Sequence, residues 1–195
     1  MKTISSIVEN ELIIKNSKFI TILVPIKSSD DVFFYLNQLK KKYPKATHYC
    51  YAYKFFDYKK CEDGGEPSST AGLPILNVLD NEGLENILCV VIRYFGGIKL
   101  GAGGLVRAYS KSASLCIRFA DLVDLMEGFK VEVSFSYNKI KIVDYLLKDS
   151  IILNKTFDAV ILYQALLDLP TLTLLNKNAI FYKIIEPVFI PKKRL

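Results

Sequence analysis

The 195-residue chain has no tryptophan, one histidine, two methionines and four cysteines. Each scarcity removes a class of function. With His48 alone, a His-Glu-x-x-His zinc peptidase is excluded, and any Ser-His-Asp or Cys-His centre must pass through that residue. The cysteines, Cys50, Cys61, Cys89 and Cys116, include no Cys-x-x-Cys pair, so their spacing predicts free thiols and no zinc site. No run approaches 18 apolar residues, so no transmembrane helix and no membrane partner are expected. The first 18 residues are interrupted by Glu9, Glu11 and Lys15, which predicts no secretory signal. Free thiols without an export segment predict a reducing, cytoplasmic location. No internal repeat and no low-complexity segment is visible.

What is present is apolar and aromatic: 51% hydrophobic residues, with 12 Tyr and 12 Phe, excludes a disordered chain. The net charge of +6 is uneven. Residues 1–127 carry 16 cations against 14 anions, and residues 128–195 carry 10 against 6. The excess, which includes Lys192-Lys193-Arg194, suits a polyanionic partner without requiring one.

Patterning predicts one or two strands over residues 11–26. A helix follows, capped by Ser28-Ser29-Asp30-Asp31, with Val32, Leu36 and Leu39 on its buried face and Lys40–Lys42 at its end. Residues 46–56 read as a strand with Thr47, Tyr49, Tyr51 and Tyr53 on one face and His48, Cys50 and Ala52 on the other. Cys61–Pro74 reads as a loop, with a helix from Ser69 or Thr70 to Leu79. The apolar run Ile87–Ile92 is a buried strand within Ile87–Tyr94. After a helix over residues 104–119 and a boundary at Met126-Glu127-Gly128, six segments follow: strand Phe129–Tyr137, helix Lys139–Lys148, two strands around Thr156–Leu166, a short segment at Pro170–Asn176 and strand Ala179–Glu186. This order matches a ferredoxin-like βαββαβ domain. The expected fold class is α+β, with domains at 1–126 and 127–195.

The most informative stretch is Arg93 to Ser110. Five of nine positions, Gly96, Gly97, Gly101, Gly103 and Gly104, are glycine, between the buried strand and a helix. The loop is neither a Walker A nor a dinucleotide fingerprint, since Leu100 follows Lys99 and Val106 stands where glycine is required. Arg93, Lys99, Arg107 and Lys111 flank it, so loop amides and cations form a candidate anion or nucleic-acid surface. Arg118 and Ser114 share the face of Arg107 and Lys111, with Leu105, Tyr109, Cys116, Phe119 and Ala120 opposite. A second loop concentrates Asp63, Glu66, Ser68, Ser69 and Thr70. Helix capping by Ser68–Thr70 is the simplest reading. An acid–base or nucleophilic role for His48, Asp63, Glu66 and Ser68 is the alternative.

Three groups of residues resemble the YigZ/IMPACT family in the same order. They are Asp63-Gly64-Gly65-Glu66-Pro67-Ser68-Ser69-Thr70-Ala71-Gly72-Leu73-Pro74, Val90 to Gly101, and Gly103-Gly104-Leu105-Val106-Arg107-Ala108-Tyr109. Lys15-x-Ser17-Lys18-Phe19-Ile20 and His48 with Cys50 extend the resemblance across residues 11–120. It implies an N-terminal α/β domain similar to the second domain of a small-subunit ribosomal protein and to the fourth domain of elongation factor G. It implies a C-terminal domain similar to that factor's last. Eukaryotic relatives regulate translation by interfering with activation of a stress kinase. The chain departs from the family at Gly64, where an acidic residue is usual, and at Ser69, where glycine is common. The expectation is a non-catalytic cytosolic protein, a monomer or weak oligomer without cofactor or metal, that meets RNA, the ribosome or translation machinery. A hydrolase acting on a small phosphorylated or acyl substrate and a protein-binding adaptor are the rivals.

Overall fold

The computed structural model describes residues 1–55 and 58–192. It is mixed α+β with two sheets, and the chain divides into two compact units, Met1–Asp124 and Leu125–Leu195.

The first unit contains β1 (Lys2–Ile4), β2 (Val8–Ile14), β3 (Ser17–Pro25), α1 (Ser29–Lys42), β4 (His48–Phe55), β5 (Tyr58–Glu62), α2 (Gly72–Asn81), β6 (Ile87–Tyr94) and α3 (Ala102–Ile117). An antiparallel sheet of order β2-β3-β6-β4-β5 forms its centre. Strand β6 is buried on both faces, which explains its uninterrupted apolar run. Ile87, Cys89 and Val91 join Phe19 and Leu23 under α2 and α3, whereas Leu88, Val90 and Ile92 join Ile20, Ile22 and Val24 under α1. The α1 start follows its sequence signals: the Asp31 carboxylate accepts the backbone N–H groups of Lys27 (2.6 Å) and Ser28 (3.1 Å). Helix α3 is pinned to β3 by a buried 2.6 Å hydrogen bond between Thr21 and Ser112.

Strand β7 (Leu122–Phe135) pairs its first three residues with β1. The second unit holds the rest of β7, a 3₁₀ turn (Tyr137–Lys139), α4 (Ile140–Leu146), β8 (Ile151–Phe157), β9 (Ile161–Leu167), α5 (Leu169–Lys177) and β10 (Phe181–Pro191). Its sheet runs β10-β7-β9-β8, every neighbour antiparallel. Val131, Val133, Phe135, Ile161, Tyr163, Ala165 and Leu167 form its core with Val143 of α4 and Leu172 and Leu175 of α5.

Several boundaries differ from the sequence reading, and four of the differences have a clear physical cause. Cys61 lies in β5, not in a loop, because the β4–β5 hairpin sets it opposite Ala52 against the core. Residue 56, expected to end that strand, lies outside the described residues. Helix α2 starts at Gly72 rather than Ser69 or Thr70. Strand β7 starts at Leu122 rather than Phe129 and runs through Gly128, where a Cβ would meet Ile190 at 2.8 Å, so glycine admits the neighbouring strand. Phe119, expected on the buried face, is exposed because α3 has already ended at Ile117. Among the described residues no helix is long and apolar enough to cross a membrane.

Candidate functional site

Strands β4 and β6 point His48 and Arg93 toward the loop between β5 and α2, which folds over them. Register pairs His48 with Arg93 on adjacent strands. Arg93 shares the parity of Ile87, Cys89 and Val91, so it faces inward beneath the helices. A buried guanidinium needs a counter-charge. Glu66 supplies it: Arg93 donates to Glu66 Oε1 at 2.6 Å, with about 5% of either side chain exposed. Tyr109 of α3 donates to the same oxygen at 2.7 Å. His48 Nε2 stands 3.8 Å from Glu66 Oε2, while its Nδ1 donates to the Gly64 carbonyl at 3.1 Å. The second terminal nitrogen of Arg93 donates to Ser17 at 3.1 Å, and Ser17 Oγ also accepts the Gly96 N–H at 3.2 Å. Glu66 therefore ties the acidic loop to the end of β6 and to α3, three residues short of the glycine loop.

Cys50 completes this network. Its Sγ lies 3.2 Å from the Tyr109 hydroxyl and 2.9 Å from the Asp63 carbonyl. Burial pushes its thiol up to about 12, partly offset by the Tyr109 hydrogen bond, so it is no nucleophile at neutral pH. Burial, reinforced by Cys50 and Glu66, likewise pushes the Tyr109 phenol well above its ordinary value. These groups fix one another in place. They do not assemble an attacking group.

The acidic loop has a capping function, performed by a residue other than those expected. Asp63 accepts from the backbone N–H of Ser69 (2.8 Å), Ala71 (3.0 Å) and Gly72 (2.9 Å), holding the free donors at the start of α2. Burial pushes its carboxyl up, but these backbone donors outweigh it and hold the group below the usual carboxylate value. Ser68 is exposed, and Thr70 donates to the Pro67 carbonyl at 2.6 Å instead of capping α2. Pro67 is exposed, whereas Ala71 and Gly72 are buried. The family departures have local consequences. Ser69 adopts a φ of 61°, where glycine is the easier occupant. Gly64 leaves no room for a side chain, because a Cβ would lie 2.3 Å from the Tyr49 carbonyl oxygen. Asp63 thus carries the loop's capping carboxylate alone.

The glycine loop divides in two. Gly96 is dictated by close approach: a Cβ would sit 2.0 Å from the Asn16 carbonyl carbon. Gly101, with a φ of 70°, is the N-cap of α3, and its carbonyl accepts the first helical N–H, from Leu105 at 2.9 Å. It has no side chain with which to cap the helix, and the first turn contains no acid. Gly97, Gly101 and Gly103 are exposed and Gly104 is half-buried.

Of the cations expected at this surface, Arg93 must be removed. It is buried and engaged by Glu66 and Ser17. Lys99, Arg107, Lys111 and Arg118 are exposed, and none forms an ion pair among the described residues. Between Glu85 and Asp121 the chain has no acidic residue at all. No cluster of His, Cys, Asp and Glu among the described residues could hold a metal ion. Sequence reasoning missed the partners Ser17 and Thr47, the latter accepting the Phe95 N–H at 3.1 Å. The inward parity of Arg93 was the available signal that a carboxylate had to be found for it.

The Impact N-terminal domain family matches residues 15–117, the span from Lys15 through the last residue of α3. The chain is 37% identical over 157 residues to the IMPACT family member YvyE of Bacillus subtilis, covering 75% of this chain and 72% of that one. An IMPACT family member of Thermus thermophilus is 40% identical over 123 residues, covering 63% and 66% respectively. A crystal structure of a hypothetical protein superposes with a TM-score of 0.71 at 26% identity, over 95% of this chain and 97% of the other. The glycine loop, the acidic loop and the strand and helix that join them all fall within the matched span, and the chain belongs to the IMPACT family.

Proposed function

We propose that this protein works without chemistry of its own, by seating the phosphate backbone of RNA or of a ribosomal surface on the glycine loop and α3, and so modulates translation. In this reading the first unit acts as an RNA-contacting domain similar to the second domain of a small-subunit ribosomal protein. The second unit is a ferredoxin-like partner domain, in keeping with its βαββαβ order and β10-β7-β9-β8 sheet. Fold by itself does not fix function. The observation that carries the proposal is the acid-free stretch between Glu85 and Asp121, which presents Lys99, Arg107, Lys111 and Arg118 to solvent without ion-pair partners among the described residues. The uncapped start of α3 adds its dipole at the same place. The C-terminal sheet, or the Lys192–Arg194 tail, of which residues 193 and 194 lie outside the described residues, would add a second contact.

The geometry does not favour the hydrolase. His48 and Glu66 converge, but Glu66 Oε1 is engaged by Arg93 and Tyr109, Cys50 is held protonated, and Ser68 is exposed with no bond to His48. The test is fluorescence anisotropy with labelled mixed-sequence RNA at two salt concentrations. Three or four phosphate contacts give a slope of log affinity against log salt of about −2 to −3 on single strands. The combined variant K99A/R107A/K111A should reduce that slope to about −0.7 or less in magnitude, the share of one remaining contact at Arg118. Absence of binding at low salt, or binding indifferent to salt, would refute the proposal. A partner captured from extract that survives nuclease would replace it with the adaptor.

A further inference from the structure

Phe95 has no place in the cores of the first unit, yet it is held more firmly than an exposed side chain needs to be. It sits at the start of the glycine loop with 46% of its surface exposed. Its backbone N–H is fixed by Thr47 at 3.1 Å, and the next N–H, of Gly96, is fixed by Ser17 at 3.2 Å. The Arg93 guanidinium lies 5.5 Å from its ring centroid and 5.4 Å from that of buried Phe19. Arg93 is in turn held by Glu66 and Ser17. The ring thus rests on an immobilised cation and opens toward solvent. Beside it, Gly97 borders open space, since a Cβ there would meet nothing within 4 Å. Lys99 stands four residues farther on, exposed and without an ion-pair partner among the described residues.

We infer that Phe95 is a base-stacking platform, and that the RNA taken at this surface is therefore single-stranded; this rests on the RNA-binding reading above. A preorganised exposed ring gains by covering an unpaired base, and a neighbouring lysine then meets that nucleotide's phosphate. In a duplex the base faces are already stacked on one another, so a duplex gains only the phosphate contacts. The two contributions are separable. Stacking is insensitive to salt, and phosphate neutralisation is not.

The experiment uses the full chain with a fluorescein-labelled 12-nucleotide RNA of mixed sequence and the blunt duplex made from it, at two salt concentrations. F95A should weaken single-strand binding about 5- to 150-fold, the range for one lost base stack. It should leave the salt slope and duplex binding unchanged. F95W should bind as the wild type, and F95L, which keeps bulk without an aromatic face, should fail like F95A. Urea midpoints of all three variants show whether each is folded at the assay condition, and the F95L and F95W pair decides if F95A is not. Wild-type affinity in F95A or F95L would overturn this inference alone, provided the wild type still binds RNA with a salt slope. Equal losses on duplex and single strand would also overturn it, by making Phe95 a support of the fold. A wild type that binds neither RNA overturns the underlying proposal as well.

Discussion

Removing the Glu66 carboxylate is the most searching perturbation of this structure. Glu66 is the counter-charge of a buried arginine and the acceptor for a buried phenol. Glu66→Ala leaves the Arg93 guanidinium without its charge partner, when its Nε already has no hydrogen-bond partner. Breaking one side of a buried pair costs about 3–5 kcal/mol. The orphaned Tyr109 hydroxyl adds about 1 kcal/mol. Domains of this size are stable by about 5–15 kcal/mol, so the variant should fall near the edge of folding. Glu66→Gln keeps an acceptor oxygen without the charge and should lie between. The pair E66L/R93M removes both charges, and its cost should fall below the sum of the two single changes by about 2 kcal/mol or more. Urea denaturation followed by far-ultraviolet circular dichroism and tyrosine emission, unobscured because the chain has no tryptophan, reports all five variants. A cost for Glu66→Ala below about 1 kcal/mol, or an additive cycle, would mean that the pair behaves as a solvated surface contact. The tie between the acidic loop and the glycine loop would then be wrong.

Further outcomes follow from the same geometry. Gly96→Ala drives a Cβ into the Asn16 backbone and should cost more than about 3 kcal/mol, whereas Gly97→Ala, in open space at positive φ, should cost about 1 kcal/mol; denaturation midpoints separate them. Asp63 has its carboxyl lowered in the folded state, so its contribution is complete above the unfolded value of about 4 and is lost as pH falls through the folded one. Limited proteolysis should therefore cut the 63–72 loop faster at pH 3 than at pH 6, and Asp63→Ala should make the loop labile at both. Cys50, with its thiol pushed up to about 12, and buried Cys89 and Cys116 should resist alkylation at pH 8 until urea unfolds the chain; rapid native labelling of Cys50 would contradict its burial.

How much of this could be read beforehand depends on whether the deciding partner is near in sequence. The α1 cap is local, three residues from donor to acceptor, and it was legible. The continuous apolar run of β6 announced a strand buried on both faces, and such it is. Strand β5 was not legible, because Tyr58-Lys59-Lys60-Cys61-Glu62 has one core residue, and only pairing with β4 makes it a strand. The start of β7 was placed at Phe129, past Gly128, because a sequence does not show Ile190 arriving across the sheet. Capping of α2 was expected from hydroxyls next to the helix, and it comes from Asp63, eight and nine positions upstream. In each failure the controlling atom belongs to a residue distant along the chain.

The arginines show why the candidate surface was harder to read than the fold. Arg93 and Arg107 flank one glycine loop and carry the same charge, and the sequence reading gave both to an external anion. Strand parity turns Arg93 inward, where desolvation compels a partner, and Glu66 is that partner. Helical periodicity turns Arg107 outward with Lys111 and Arg118, where no partner is compelled and none is found among the described residues. The inner arginine backs Phe95 and braces the loop's entrance; the outer cations lie beyond it. A phosphate backbone would meet the second group only. Charge reversal at Arg107 should therefore weaken binding and reduce the salt slope by about 0.7 or more while leaving the urea midpoint nearly unchanged, whereas neutralisation of Arg93 should lower the midpoint. If both changes destabilise the fold equally, the division of the two arginines between interior and surface is wrong, and the glycine loop loses its claim to be a binding surface.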